Sequence, residues 1–144
     1  MSVRVETDLT PAPAMREEVR RGLRAYNTAQ MPSQTPHGEF AIYIREDANG
    51  EIAGGLWAVY YYDWMFIEFL SVPEAERRCG LGRSMMEAAE ARARELGLAG
   101  IWLDTFAFQA RGFYEKLGYE VFGTLEDHPR GSRRFFLRKK FYQP

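Results

Sequence analysis

The stretch Leu70-Ser71-Val72-Pro73-Glu74-Ala75-Glu76-Arg77-Arg78-Cys79-Gly80-Leu81-Gly82-Arg83-Ser84 constrains the fold most, because the hydrophobic period changes across it. Before it, Trp64 to Val72 is an apolar run broken only by Glu68, and it reads as a strand. After it, Leu81, Met85, Ala88 or Ala89, Arg92 or Ala93, and Leu96 recur at helical spacing, and Gly97 supplies a natural stop. A second apolar run, Ala99 to Phe106, follows as a buried strand. Strand, basic glycine turn, helix, strand is the order of a crossover helix joining two parallel strands.

The rest of the chain builds around that unit. Met15, Val19, Leu23 and Tyr26 line one face of a helix over residues 13–29, with Thr10-Pro11 as a start signal. Residues 30–38 are turn-rich and predict a loop. Phe40 to Arg45 and Ile52 to Tyr61 predict strands joined at Asn49-Gly50, and Asp63 marks the next turn. Ala110 to Leu117 predicts a short helix closed by Gly118, and Tyr119 to Phe122 and Arg134 to Leu137 the last strands. The pattern is an α/β (α+β) domain with a mixed sheet, and 144 residues fit one domain over 1–144.

Composition narrows the chemistry. One cysteine, Cys79, excludes an internal disulfide, and with two histidines it assembles no metal site. The longest apolar region, Ile52 to Val72, is broken by Asp63 and Glu68 and is no spanning helix, and the N-terminus has no signal core. A soluble, cytoplasmic protein is expected. The net charge of −1 hides an asymmetry: residues 1–76 hold 12 acids and 6 bases, residues 77–144 hold 8 acids and 13 bases. A nucleic-acid partner is disfavoured by the net charge, but the second half can attract an anion.

The glycine turn suits that anion. A helix N-terminus offers free N–H groups and partial positive charge, glycines at 80 and 82 allow close approach, and Arg77, Arg78 and Arg83 add cations. A plain turn with solvated arginines is the alternative. The Walker loop is excluded, since Gly82 is followed by Arg83-Ser84, and the dinucleotide fingerprint fails at Met85. A third pattern, Arg/Gln-x-x-Gly-x-Gly/Ala, is filled by Arg77, Gly80 and Gly82. A second segment, Ala110-Arg111-Gly112-Phe113-Tyr114-Glu115-Lys116-Leu117-Gly118-Tyr119, fits A-x-x-F-Y-x-K-x-G-F/Y.

With these two motifs the chain resembles the GNAT superfamily of N-acetyltransferases, and the 104–110 run is similar to small bacterial members. The resemblance implies an acyl-CoA N-acyltransferase-like fold: a mostly antiparallel mixed sheet with a central, splayed parallel strand pair, flanked by helices. It implies acetyl-CoA as donor and a primary amine, of a small molecule or peptide, as acceptor. A non-catalytic acyl-CoA-binding module of the same fold is the alternative, and a homodimer is compatible with it. The implied cofactor residues are Leu70, Ser71 and Val72 on the strand, Arg77, Arg78, Cys79, Gly80, Leu81, Gly82, Arg83 and Ser84 at the turn, and Gln109 and Phe113 downstream. Ala107 stands where many members carry asparagine, and Gln109 is the candidate substitute.

Direct acetyl transfer needs a neutral amine, a stabilised oxyanion and a proton for the leaving thiolate. Tyr114 matches the family's tyrosine acid, and N–H groups around Leu70-Ser71-Val72 its oxyanion site. Glu68 is the candidate base. Simple alternation puts it on the same face as Leu70 and Val72, and an exposed or arginine-paired structural role is equally open. Asp104 is a weaker base candidate, and His37 and His128 read as surface groups. Trp57, Tyr60, Tyr61, Tyr62, Trp64 and Phe66 are expected to pack mostly in the core and across strands, some lining an acceptor pocket with the 30–38 loop. Arg130 to Lys140, with six bases and no acid, is expected to be a surface strand.

Overall fold

The computed structural model describes residues 1–141, and its two compact units, residues 1–33 and the chain from Gln34 onward, are taken in turn. In the first, helix α1 spans Pro13–Gln30. It starts three residues beyond Thr10, whose N–H is held in a turn by the Asp8 carboxylate at 2.9 Å. Pro13 suits the first turn, where a missing N–H costs nothing. Pairs Arg21–Glu18 (2.7 Å) and Arg24–Glu17 (3.0 Å) flank the polar side. Residues 1–33 hold no other element to cover the Met15/Val19/Leu23/Tyr26 stripe.

The second unit is a six-stranded sheet in the order β1-β2-β3-β4-β6-β5. Its strands are β1 Gly38–Arg45, β2 Ile52–Tyr61, β3 Trp64–Ser71, β4 Gly100–Phe106, β5 Glu120–Glu126 and β6 Arg133–Lys140. Helices α2, Leu81–Glu95, and α3, Arg111–Lys116, complete it, with a single 3-10 turn at Glu74–Glu76. All pairings are antiparallel except β3 with β4, which α2 joins as the expected crossover. Two left-handed residues, Tyr62 (φ 46°) and Asp63 (φ 72°), form the tight β2–β3 turn. Gly97 (φ 74°) ends α2.

One face of the sheet carries the core. Leu56, Ala58, Met65, Ile67, Ile101, Leu103, Phe135 and Leu137 project from the strands and pack with Met85, Met86, Ala89 and Ala93 of α2. Each large buried apolar side chain here contributes about 1.5–3 kcal/mol relative to exposure. The aromatic cluster of β2 and β3 packs across strands, with Phe66 stacked on Trp102 of β4 (ring centroids 4.2 Å), more than into the core. Tyr60 packs against the core from its margin, but none of Trp57, Tyr61, Tyr62, Trp64 or Phe66 enters it. The buried positions of these two strands are the alternating aliphatic ones, and most of the aromatics take the opposite parity.

One further expectation is corrected. The basic 130–140 segment supplies β6, an inner strand between β4 and β5 and not a surface strand. Four of its six charges are taken up laterally: Arg133 by Glu126 (3.4 Å), Arg134 by Asp104 (2.7 Å), Arg138 by Glu120 (3.2 Å) and Lys139 by Glu90 (2.7 Å). In the 30–38 loop, Thr35 donates its hydroxyl proton to Asp63, just before β3, at 2.6 Å.

Candidate active site

The site is organised by a break in the central strand pair. β3 and β4 are paired only over Trp64–Ile67 with Gly100–Leu103. Both continue, β3 to Ser71 against β2 and β4 to Phe106 against β6, so the two strands part after Ile67 and Leu103. Backbone groups of Glu68–Ser71 on that side have no β4 ladder to satisfy them. This is the splay that the resemblance implied.

A bulge sits where the strands part. Trp57 faces Phe69 and Ala58 faces Ile67, so Glu68 is an extra residue in β3. The extra residue changes the parity. Met65 and Ile67 point to the core before it, and Leu70 and Val72 pack against the core after it. Glu68 therefore lies on the opposite face from Leu70 and Val72, contrary to simple alternation. It is exposed and makes no ion pair among the described residues.

Tyr114 belongs to the buried core cluster. It lies in α3, buried against Phe113 (ring centroids 5.0 Å) and Tyr119 (6.2 Å). Its hydroxyl makes no hydrogen bond to a described residue. Burial, and secondly the negative charge of Asp104, push its pKa up to about 12, so the phenol keeps its proton. Asp104 is the first β4 residue beyond the paired stretch. It is held in an ion pair by Arg134 at 2.7 Å. Arg134 also contacts His128 Nε2 (3.3 Å), and its buried Nε has no hydrogen-bond partner among the described residues.

The glycine turn is open to an anion. The residue before α2, Gly80, is left-handed (φ 82°), and a Cβ built there meets nothing within 4 Å. No side chain caps the helix, so the first-turn amides of Leu81, Gly82 and Arg83 are unclaimed by a cap. The Ser84 amide already donates to the Gly80 carbonyl at 3.0 Å, leaving its hydroxyl. Gly82 serves packing: a Cβ there would stand 3.1 Å from the Phe113 ring and 3.8 Å from Val72. Of the arginines, Arg83 pairs with Glu87 (2.9 Å) and Arg77 reaches the Val72 carbonyl by a long bond (3.4 Å). Arg78 is left-handed (φ 72°) and without a partner among the described residues, and Cys79 is exposed.

Gln109 is a turn brace. Its Oε1 accepts from the Phe106 N–H at 2.7 Å, and Thr105 Oγ1 accepts from the Ala110 N–H at 3.3 Å. Only the Gln109 amide nitrogen is left for a ligand. Thr105 was not singled out in the sequence, nor were Gly54 and Gly55 opposite Ser71. A Cβ on Gly54 would fall 2.4 Å from the Ser71 carbonyl oxygen, and one on Gly55 2.1 Å from the Ile42 oxygen. The double glycine was the available signal, since it marks close approach of neighbouring strands.

Residues 6–119 match the acetyltransferase (GNAT) family. The chain belongs to the GNAT acetyltransferase family. It is 34% identical over 125 residues to blasticidin-S acetyltransferase of Streptomyces morookaense, covering 86% of this chain and 91% of that one. It is 32% identical over 137 residues to the acetyltransferase Atu2258 of Agrobacterium fabrum (strain C58 / ATCC 33970), covering 95% and 98%. An acetyltransferase from Bacillus cereus ATCC 14579 superposes with a TM-score of 0.83 at 30% identity, over 94% and 98% of the two chains. The GNAT assignment makes the protein an acetyl-CoA-dependent acetyltransferase, and the mixed sheet with its parted β3–β4 pair is the fold of that family. Among the described residues, no helix is long and apolar enough to cross a membrane.

Proposed function

We propose that the protein transfers an acetyl group from acetyl-CoA to a primary amine of a small molecule, by direct attack through the gap between β3 and β4. The reading is supported by two groups that differ in face and environment. A protonated phenol, Tyr114, lies on the core face, and an unpaired carboxylate, Glu68, on the outer face.

In this reading the pyrophosphate of the donor lies on the N–H groups of Leu81, Gly82 and Arg83, turned toward it by Gly80, with Arg77, Arg78 and the Cys79 and Ser84 positions around it. Its pantetheine arm runs past Phe113 and the Gln109 amide to the freed backbone of Leu70, Ser71 and Val72, whose N–H groups hold the developing oxyanion. Glu68 takes a proton from the incoming ammonium through water. The neutral nitrogen attacks the carbonyl carbon, the C–S bond breaks, Tyr114 gives its proton to the departing sulfur, and the surplus proton on the new amide nitrogen passes through water to the resulting tyrosinate. A phenol near about 12 is a weaker acid than one in water. A thiolate formed in the same dry pocket is raised by the same loss of hydration, which keeps donor and acceptor matched.

A small-molecule acceptor is supported by the relative named for acetylating blasticidin S. The test is thiol release from acetyl-CoA over a panel of amines that includes blasticidin S, with wild type and Tyr114→Phe. Amine-dependent release that slows on losing the hydroxyl is expected. Release independent of any amine, or unaffected by Tyr114→Phe, would overturn the amine and the acid respectively.

A further inference from the structure

Outside the site, the described core holds one charged network, and it ties together the two helices that the reaction must hold in register. Glu90, on the buried side of α2, accepts the Lys139 ammonium at 2.7 Å and the Tyr119 hydroxyl at 3.1 Å. Lys139 also donates to the carbonyl of Leu117, the residue that ends α3, at 2.9 Å. Tyr119 lies three residues beyond α3, donates its N–H to the Tyr114 carbonyl at 3.1 Å, and sets its ring against that of Tyr114.

We propose that Glu90, Lys139 and Tyr119 are positioning residues that hold the Tyr114 phenol at a fixed distance from the glycine turn. α3 has only six residues, too few to hold a helix by itself. Its orientation must come from its ends. At its start, the Thr105 and Gln109 side chains brace the turn from β4. At its finish, the Lys139 ammonium holds the last carbonyl, and α2 holds the ammonium. α2 also carries the anion turn, and Glu90 is nine residues beyond Leu81, about 13 Å along the axis. The Phe113 ring on Gly82 is the second tie between the same helices. The donor is gripped at one end of α2, and the acid is registered to that helix at both places. A buried ion pair is a weak source of stability, but it fixes geometry where an apolar contact can slide.

The proposal rests on Tyr114 as the acid, and the test separates the two. Steady-state kcat and KM are measured for Tyr119→Phe and for the double variant Glu90→Gln/Lys139→Met, each with Tyr114 and with Tyr114→Phe. The double variant leaves no lone buried charge, and Tyr119→Phe keeps the ion pair, so one remains readable if the other does not fold. With Tyr114 present, kcat should fall about tenfold in the double variant and less in Tyr119→Phe, with KM for acetyl-CoA within about twofold. In the Tyr114→Phe background the same changes should cost nothing further. Equal losses in both backgrounds, or unchanged kcat in the folded variants, overturn the positioning role. Wild-type kcat in Tyr114→Phe alone overturns the acid, and the proposal with it.

Discussion

Replacing Gly80 and Gly82 separately by alanine should give opposite results, because the two glycines answer different physical demands. Gly80 is left-handed, with φ 82° and no atom within 4 Å of an added Cβ. The cost of Gly80→Ala is therefore all backbone strain, roughly 1–2 kcal/mol, less about 0.4–1 kcal/mol from the stiffer unfolded chain. A net loss of about 1 kcal/mol lowers Tm by about 3–5 °C for a chain of this size. Relieving the strain also turns the amides of the first helical turn, so the variant should lose affinity for the donor.

Gly82 lies inside α2, where alanine gains up to about 1 kcal/mol of helix propensity. Its Cβ would stand 3.1 Å from the Phe113 ring, so that ring must yield by a few tenths of an ångström, which offsets the gain. The added methyl points at Phe113 and Val72 and leaves the amides of the turn where they are. Gly82→Ala should keep both its Tm and its affinity, whereas Gly82→Trp has to expel Phe113 and should lose both. The assay is thermal unfolding with and without acetyl-CoA. A ligand at a hundred times its Kd adds about 2.7 kcal/mol. A smaller ligand-induced rise for Gly80→Ala, and an unchanged one for Gly82→Ala, is expected. The reverse pattern would refute the assignment of the αL residue to the anion turn and of Gly82 to packing.

Tyr114→Phe should lower kcat about a hundredfold and leave acetyl-CoA affinity intact, and its stability should stay within about 0.5 kcal/mol of wild type, since the hydroxyl has no partner among the described residues. Alkaline stability gives a separate check. The Tyr114 phenol, raised from 10.0 to about 12 in the folded state, contributes stability that is complete below pH 10 and is lost as pH rises through 12. Tyr119 is shifted the same way by burial and Glu90. The drop in Tm between pH 9.5 and 11.5 should be shallower in Tyr114→Phe, and an identical profile would contradict a raised phenol. Glu68→Gln should lower kcat/KM for the amine about tenfold or more with no change in the acetyl-CoA-induced rise in Tm. A loss of donor affinity instead would place Glu68 on the wrong face.

The glycine turn and its flanking strand and helix were legible because local rules decide them. A change of period at Val72 to Leu81 and glycine before the first helical turn need no knowledge of the rest of the chain. The Tyr114 segment was legible through its motif. Glu68 was not, because a bulge exists only as a mismatch between two paired strands. Nothing in Trp64–Ser71 alone says that β2 will be one residue shorter across from it. The basic segment was misread for the same reason. Arg133, Arg134, Arg138 and Lys139 look uncommitted until β4, β5 and α2 bring Glu126, Asp104, Glu120 and Glu90 beside them.

The sequence by itself determined the order of elements, the crossover between two parallel strands and the anion-ready helix start, since each follows from side-chain periodicity and backbone freedom within a few residues. Tertiary structure alone decided which face Glu68 takes, what Gly82 is for, and how the surplus cations of the second half are neutralised. Those depend on contacts between residues distant in sequence, where one extra residue in a strand exchanges the two faces of a sheet.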